Sequence, residues 1–153
     1  MRLLSTVVIA SGHPLIRATH RTTFEITTEP FLTPRGDCIV GVSASRALRS
    51  LPTELRNAVR RDDALIVIEL RSDGFRDVVL CRGSKRLTLL SDRKIVVRRS
   101  RYVDDSTLCI ESNKAARDLD RGLISALRSG GTLIAKIIVV WVPQLAATPE
   151  VLW

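Results

Sequence analysis

Displaced by 68 positions, the chain matches itself without a gap, residues 37–70 falling on residues 105–138. Nine of these 34 pairs are identical: Asp37/Asp105, Ala47/Ala115, Arg49/Arg117, Leu51/Leu119, Leu55/Leu123, Ala58/Ala126, Arg60/Arg128, Leu65/Leu133 and Ile66/Ile134. Conservative pairs such as Val42/Ile110, Ser45/Asn113 and Arg46/Lys114 lie between them. The gapless match predicts a duplicated strand-helix-strand unit, and so a chain of two like halves.

Each copy reads alike. A strand (38–43 or 107–111) ends at an N-cap, Ser45 or Asn113, whose side chain accepts an exposed amide of the first helical turn. The helix that follows carries apolar residues at helical spacing: Ala47, Leu48, Leu51, Leu55 and Val59, matched by Ala115, Leu119, Leu123 and Leu127. Pro52 lies inside the first helix and is expected to break it after Leu51. Asp62-Asp63 and Gly130-Gly131 close the helices. The next strands, ALIVIEL and TLIAKIIVVWV, are apolar almost throughout, which predicts cover on both faces.

The arms before the copies differ. The first has a strand over 3–10, a turn at 11–14 and a long strand over 15–27, whose alternation puts Ile16, Ala18, His20, Thr22, Phe24 and Ile26 on one face. The second has strands over 64–71, 75–82, 87–90 and 94–102, with turns at 72–74, 83 and 91–92. Both histidines belong to the first arm. The positive charge belongs to the second: residues 71–101 hold ten basic and three acidic groups, 10 − 3 = +7 of a net +8.

At 153 residues and 45% hydrophobic, the chain is expected to form one domain over 1–153 that buries its own core. Only 4% is aromatic, so that core must be aliphatic. The most apolar run, 133–142, is about half of what a membrane-spanning helix needs. The opening MRLLSTVVIASG reads as a first strand and not a signal peptide. Cys38, Cys81 and Cys109 have no metal-ligand spacing and are expected as buried thiols; whether Cys81 and Cys109 pair stays open. These features place the protein in the cytoplasm, with no cofactor, no membrane and an undetermined oligomeric state.

Two regions qualify as sites. In the first, His13, Arg17, His20, Thr22, Thr23, Arg35, Asp37 and Cys38 would have to converge on a pocket. His20 would act as base or anion donor, and Cys38 beside it as a nucleophile. The alternatives are a core histidine, an ordinary turn histidine, a packed thiol and a structural Asp37 capping turn amides, since Asp37 recurs as Asp105. Two histidines alone make a weak metal signal, since a third ligand would have to come from Asp37, Glu25 or Cys38, and no metal is expected. In the second region, Arg82, Lys85, Arg86, Arg93, Lys94, Arg98, Arg99 and Arg101, with Tyr102, would bind RNA or a phosphorylated ligand, and reversing Arg98 and Arg99 would weaken it. Twenty of the 24 basic residues are arginine, whose fork suits phosphate, although no RNA-binding signature is matched.

The runs GHPLIRATHRTTFEIT, LTPRGDCIVGVSA and SNKAARDLDRGL resemble the archaeal family known as domain of unknown function 371. The resemblance spans residue 12 to about residue 142. It implies an archaeal, intracellular origin and a strand-rich, sandwich-like fold, and it carries over no activity, substrate or cofactor. The expected fold is therefore α+β and strand-dominated, with two pseudo-symmetric halves forming a two-sheet sandwich or barrel-like domain. The expected function is binding of RNA or a phosphorylated ligand by the basic strands, with a small-molecule enzyme as the alternative.

Overall fold

A computed structural model describes residues 1–143. It contains eight strands: β1 (Arg2–Ser11), β2 (Thr23–Thr27), β3 (Ile39–Gly41), β4 (Leu65–Ser72), β5 (Phe75–Arg82), β6 (Lys94–Arg98), β7 (Thr107–Cys109) and β8 (Thr132–Trp141). Two helices, α1 (Thr53–Val59) and α2 (Arg121–Arg128), precede β4 and β8. The strands form two sheets in the orders β1-β8-β4-β5 and β3-β2-β6-β7, packed as a sandwich. Each order is palindromic with respect to the halves: β1 corresponds to β5, β2 to β6, β3 to β7 and β4 to β8. The fold is the α+β, strand-dominated one expected, with two pseudo-symmetric halves, and of the two forms left open, sandwich or barrel, it is the sandwich.

The second sheet contains the parallel pairs β2/β3 and β6/β7, so the chain must cross over between their strands. The first crossover, between Thr27 and Ile39, has 39 − 27 − 1 = 11 residues, and the second, between Arg98 and Thr107, has 107 − 98 − 1 = 8. This difference of three explains why the 68-residue offset ends near Asp37. Upstream, equivalent positions are 71 apart.

The long strand expected over 15–27 is only Thr23–Thr27, and 87–90 is not a strand either. Ala18 and Leu89 both have positive φ, 51° and 54°, a conformation that breaks an extended run. Ile16 and Ala18 are still fully buried, but His20 is half-buried and does not join the apolar set. The strand expected over 94–102 ends at Arg98, and those over 38–43 and 107–111 contract to three residues each.

The helices are shorter as well. Residues 48–50 and 116–118 are single 3-10 turns, separated from α1 and α2 by extended residues at Leu51-Pro52 and Leu119-Asp120. Pro52 breaks the first copy as expected. In the second copy Asp120 replaces it, its carboxylate accepting the Leu123 amide at 2.9 Å to start α2. Ser45 and Asn113 are not N-caps. Ser45 Oγ accepts the Ile9 amide (3.0 Å) and Asn113 Oδ1 accepts the Leu80 amide (3.0 Å), tying each helix-leading loop to a β1 or β5 edge.

The core between the sheets is aliphatic, with Phe24 its largest fully buried side chain. On β4 and β8 only one face is covered: Ile66, Ile68, Leu70, Leu133, Ala135 and Ile137 are buried, whereas Leu65 and Ile134 are exposed. The expectation of cover on both faces therefore fails among the described residues. Continuous apolarity came here from an open, non-polar outer face.

At two corners the sheets touch through one antiparallel bridge each, Ser11 with Val42 and Arg82 with Ile110. The second corner also carries a Cys81–Cys109 disulfide, with a Cα–Cα separation of 5.8 Å, so the expectation of three thiols is corrected to one. Ala10 and Gly41 hold the equivalent places at the first corner, where a Cβ on Gly41 would lie 3.0 Å from that of Ala10. Chain entropy for a 28-residue separation gives the bridge about 3.5 kcal/mol. Full reduction, or Cys109→Ser, is expected to lower the unfolding free energy by roughly 2–4 kcal/mol while leaving the circular dichroism spectrum native. Thiol titration of unfolded protein should find one free thiol per chain before reduction and three after.

Candidate functional site

The histidine-bearing segment follows β1 as an irregular run whose amides need acceptors other than a sheet ladder. His13 Nδ1 accepts the Leu15 amide (3.0 Å), and His20 Nδ1 accepts the amides of Thr22 and Thr23 (3.2 Å each). The same bonds recur 71 residues on with hydroxyls in place of imidazoles. Ser84 Oγ accepts the Arg86 amide (3.1 Å), and Ser91 Oγ accepts those of Arg93 and Lys94 (3.2 and 3.0 Å). Both imidazoles thus occupy turn-capping positions, with Nδ1 committed to the backbone and only Nε2 left to donate.

Asp37 acts through its main chain: its carbonyl accepts the amides of Thr19 (2.9 Å) and His20 (3.3 Å), as the Asp105 carbonyl accepts that of Ser91 (2.9 Å). Arg17 donates to the Pro34 carbonyl at 3.1 Å, and Arg35 is exposed in the first crossover. A cleft of about 340 Å³ lies here, lined by Pro14, Leu15, Ile16, Arg17, Thr19, Pro34 and Arg128. Neither histidine lines it. His20 instead meets Thr23, whose hydroxyl is 3.1 Å from Nδ1 and also bonds the Cys38 thiol.

Beyond Cys38 lies Glu25, its carboxylate 4.0 Å from the sulfur and only 8% exposed. Burial pushes the Cys38 thiol up to about 11, and the Glu25 carboxylate adds to the rise. The Glu25 carboxyl is itself raised by burial, with Lys94 opposing. His20, Thr23, Cys38 and Glu25 are therefore a connected polar cluster on β2 and its neighbours, but one that keeps the sulfur as a thiol. The sequence offered Glu25 only as one possible third metal ligand beside the histidines: in the expected alternation it belonged to the polar, outward face.

The basic arm does not form one surface. Arg98 has a side chain only 16% exposed, held by Asp104 (3.0 Å) and Thr107 Oγ1 (2.9 Å), and its guanidinium stacks on Tyr102. Arg99 pairs with Asp118 and Arg93 with Glu29, at opposite ends of the five-residue β6. Lys94 lies beside Glu25. Reversal of Arg98 is thus no clean test of ligand binding, because it would leave Asp104 facing a half-buried like charge.

The remaining cations do converge. Arg82, Arg86 and Arg101 line a cleft of about 290 Å³ with Asp62, Gly83, Ser84, Ile110 and Glu111. Gly83 lets the chain pass under α1, since a Cβ there would be 2.2 Å from the Val59 carbonyl oxygen. Glu111 holds Arg101 (2.5 Å) and Arg82 (3.6 Å), and Asp62 lies 3.9 Å from Lys85. Arg86 donates to the Arg101 carbonyl at 2.7 Å and has no carboxylate partner among the described residues. A wider cleft, about 470 Å³ at the β4–β5 turn, contains Arg71 and Arg76, but Glu69 pairs with both. No group of three His, Cys, Asp or Glu side chains suited to a metal occurs among the described residues. No helix among them is long and apolar enough to cross a membrane.

The family model described as "Domain of unknown function (DUF371)" matches residues 8–140, which include both corners, both capped turns and this cleft. The chain belongs to the DUF371 family. One relative in the family's archaeal setting is the uncharacterised protein MJ0206 of Methanocaldococcus jannaschii, 38% identical over 133 residues, covering 87% of this chain and 98% of that protein. The family match thus extends over both halves, and neither description names a ligand.

Two outcomes check the polar cluster. His20→Ser is expected to retain most of the stability, because a hydroxyl does the same work at Ser91, whereas His20→Ala should cost about 1 kcal/mol or more by leaving two amides without their acceptor. Denaturant titrations of both variants decide this. Because the Glu25 carboxyl is raised from 4.5, the folded state holds its proton more tightly than the unfolded state. Its contribution is fully present below the unfolded value and is lost as pH rises through the folded one. Glu25→Gln should flatten that part of the stability-pH curve, measured by melts taken from acid to neutral pH.

Proposed function

We propose that this protein binds a phosphorylated ligand in the cleft of Arg82, Arg86 and Arg101. The observation that carries the reading is Arg86, a guanidinium held in place by a backbone carbonyl yet with no carboxylate partner among the described residues. Four cations, Arg82, Lys85, Arg86 and Arg101, face two carboxylates, Asp62 and Glu111, leaving 4 − 2 = +2 at the cleft. Arginine forks donate to phosphate oxygens in pairs, and a ligand phosphate would compete with Glu111 for Arg101 and Arg82. A cleft of this size suits one or two phosphate groups. RNA is less well supported: the other cations are dispersed into separate ion pairs, and one face of Tyr102 is occupied by Arg98.

In the same reading the two halves are diverged copies of one unit, and the second acquired the ligand site. Positions equivalent to Ser84 and Arg86 are His13 and Leu15 in the first half, so the unpaired guanidinium has no counterpart there. The enzymatic alternative rests on the His20–Thr23–Cys38–Glu25 cluster, and a thiol at about 11 weakens its nucleophile.

Calorimetric titration with inorganic pyrophosphate tests the proposal. Saturable binding that weakens as salt rises is expected, with Arg86→Glu reducing affinity by more than about tenfold. Binding that Arg86→Glu leaves unchanged would remove the cleft from consideration.

A further inference from the structure

The outer face of the sheet β1-β8-β4-β5 is a grid of four side chains from each of four strands, and most of it is apolar. Leu3, Val7, Ile9, Leu65, Leu80 and Ile134 on this face are each 42–57% exposed. Strand registers place Val7, Lys136, Glu69 and Val78 in one row near its middle. Ile9, Ile134, Arg71 and Arg76 form the row toward the β4–β5 turn. Glu69 pairs with Arg71 and Arg76, whereas Lys136 has no ion-pair partner among the described residues.

We infer that this face is where a second copy of the chain docks, sheet against sheet, about a two-fold axis that lies in the interface along the boundary between β8 and β4. The charge layout selects both the occupant and the axis. Such an axis exchanges β8 with β4 and β1 with β5 while keeping rows in register. Lys136 of one copy then stands over Glu69 of the other, twice. Arg71 and Arg76 fall over Ile134 and Ile9, which their aliphatic stems can cover, and no cation faces a cation. A two-fold axis across the strands would instead set Arg76 over Arg82.

The size is adequate. Four strands about 4.8 Å apart and rows spanning about 25 Å give a flat area of about 500 Å² per copy. Two copies together reach the roughly 1,000 Å² that a specific interface requires. Aligned face-to-face packing of two twisted sheets is an ordinary way to bury such surfaces.

Sedimentation velocity of the full chain at micromolar concentration is expected to give twice the 17.0 kDa chain mass. Lys136→Glu and Glu69→Lys should each raise the dissociation constant by about tenfold or more by setting like charges together, and combining them should restore dimerisation. A 17.0 kDa species would overturn the inference, as would a dimer indifferent to both single reversals. A monomer that takes up an apolar-surface dye only after removal of residues 144–153 would assign the face to that segment instead.

Discussion

The architecture depends on the two corners where the sheets come together. β3 and β7 are only three residues long, and each is held to its own sheet by parallel pairing. Each then reaches the opposite sheet through one two-way backbone exchange: Ser11 with Val42 at 2.7 and 2.8 Å, Arg82 with Ile110 at 2.8 and 3.0 Å. Together with the bonds of Ser45 to Ile9 and of Asn113 to Leu80 just beyond them, these contacts set the register that non-directional apolar packing between the sheets would leave open. The two corners are secured differently, one by the close approach of Gly41 to Ala10 and the other by the Cys81–Cys109 bond.

Turning the chain from one sheet to the other costs it a hydrogen-bonding ladder over residues 12–22 and 83–93. Fixed acceptors make up the deficit: imidazole Nδ1 in the first half, serine Oγ in the second, and the carbonyls of Asp37 and Asp105 in both. This explains two residues that look like chemistry in isolation. His13 and His20 have the conformation and partners of a capping group, and a rare residue type at a turn is weak grounds for catalysis when a serine does the same elsewhere in the chain.

Charge follows a similar logic. The second half's excess of arginine is mostly neutralised locally, by Glu29, Asp104, Glu111 and Asp118, and what is left over is concentrated where Arg86 joins Arg82 and Arg101. The cleft can therefore carry a field that the total of +8 does not reveal, since paired surface charges contribute little at a distance through salt.

Local sequence alone determined the elements that rely on nearest neighbours: the break at Pro52, the places of the two helices with their apolar stripes, the aliphatic core, and the strands β1, β4, β5 and β8. It also located the net charge. Only the tertiary structure decided the rest. Apolar periodicity cannot distinguish a face covered by another layer from one left open, so β4 and β8 read as doubly buried. Strand propensity extended β2 back to residue 15, because the irregular run around Ala18, with its positive φ, is held by the Asp37 carbonyl and by Arg121 and Arg128 of α2 far along the chain. The disulfide, the burial of Glu25 and the convergence of Arg82, Arg86 and Arg101 have the same origin. Each depends on residues well separated in sequence being brought within a few ångströms, a distance that no single stretch of the chain encodes.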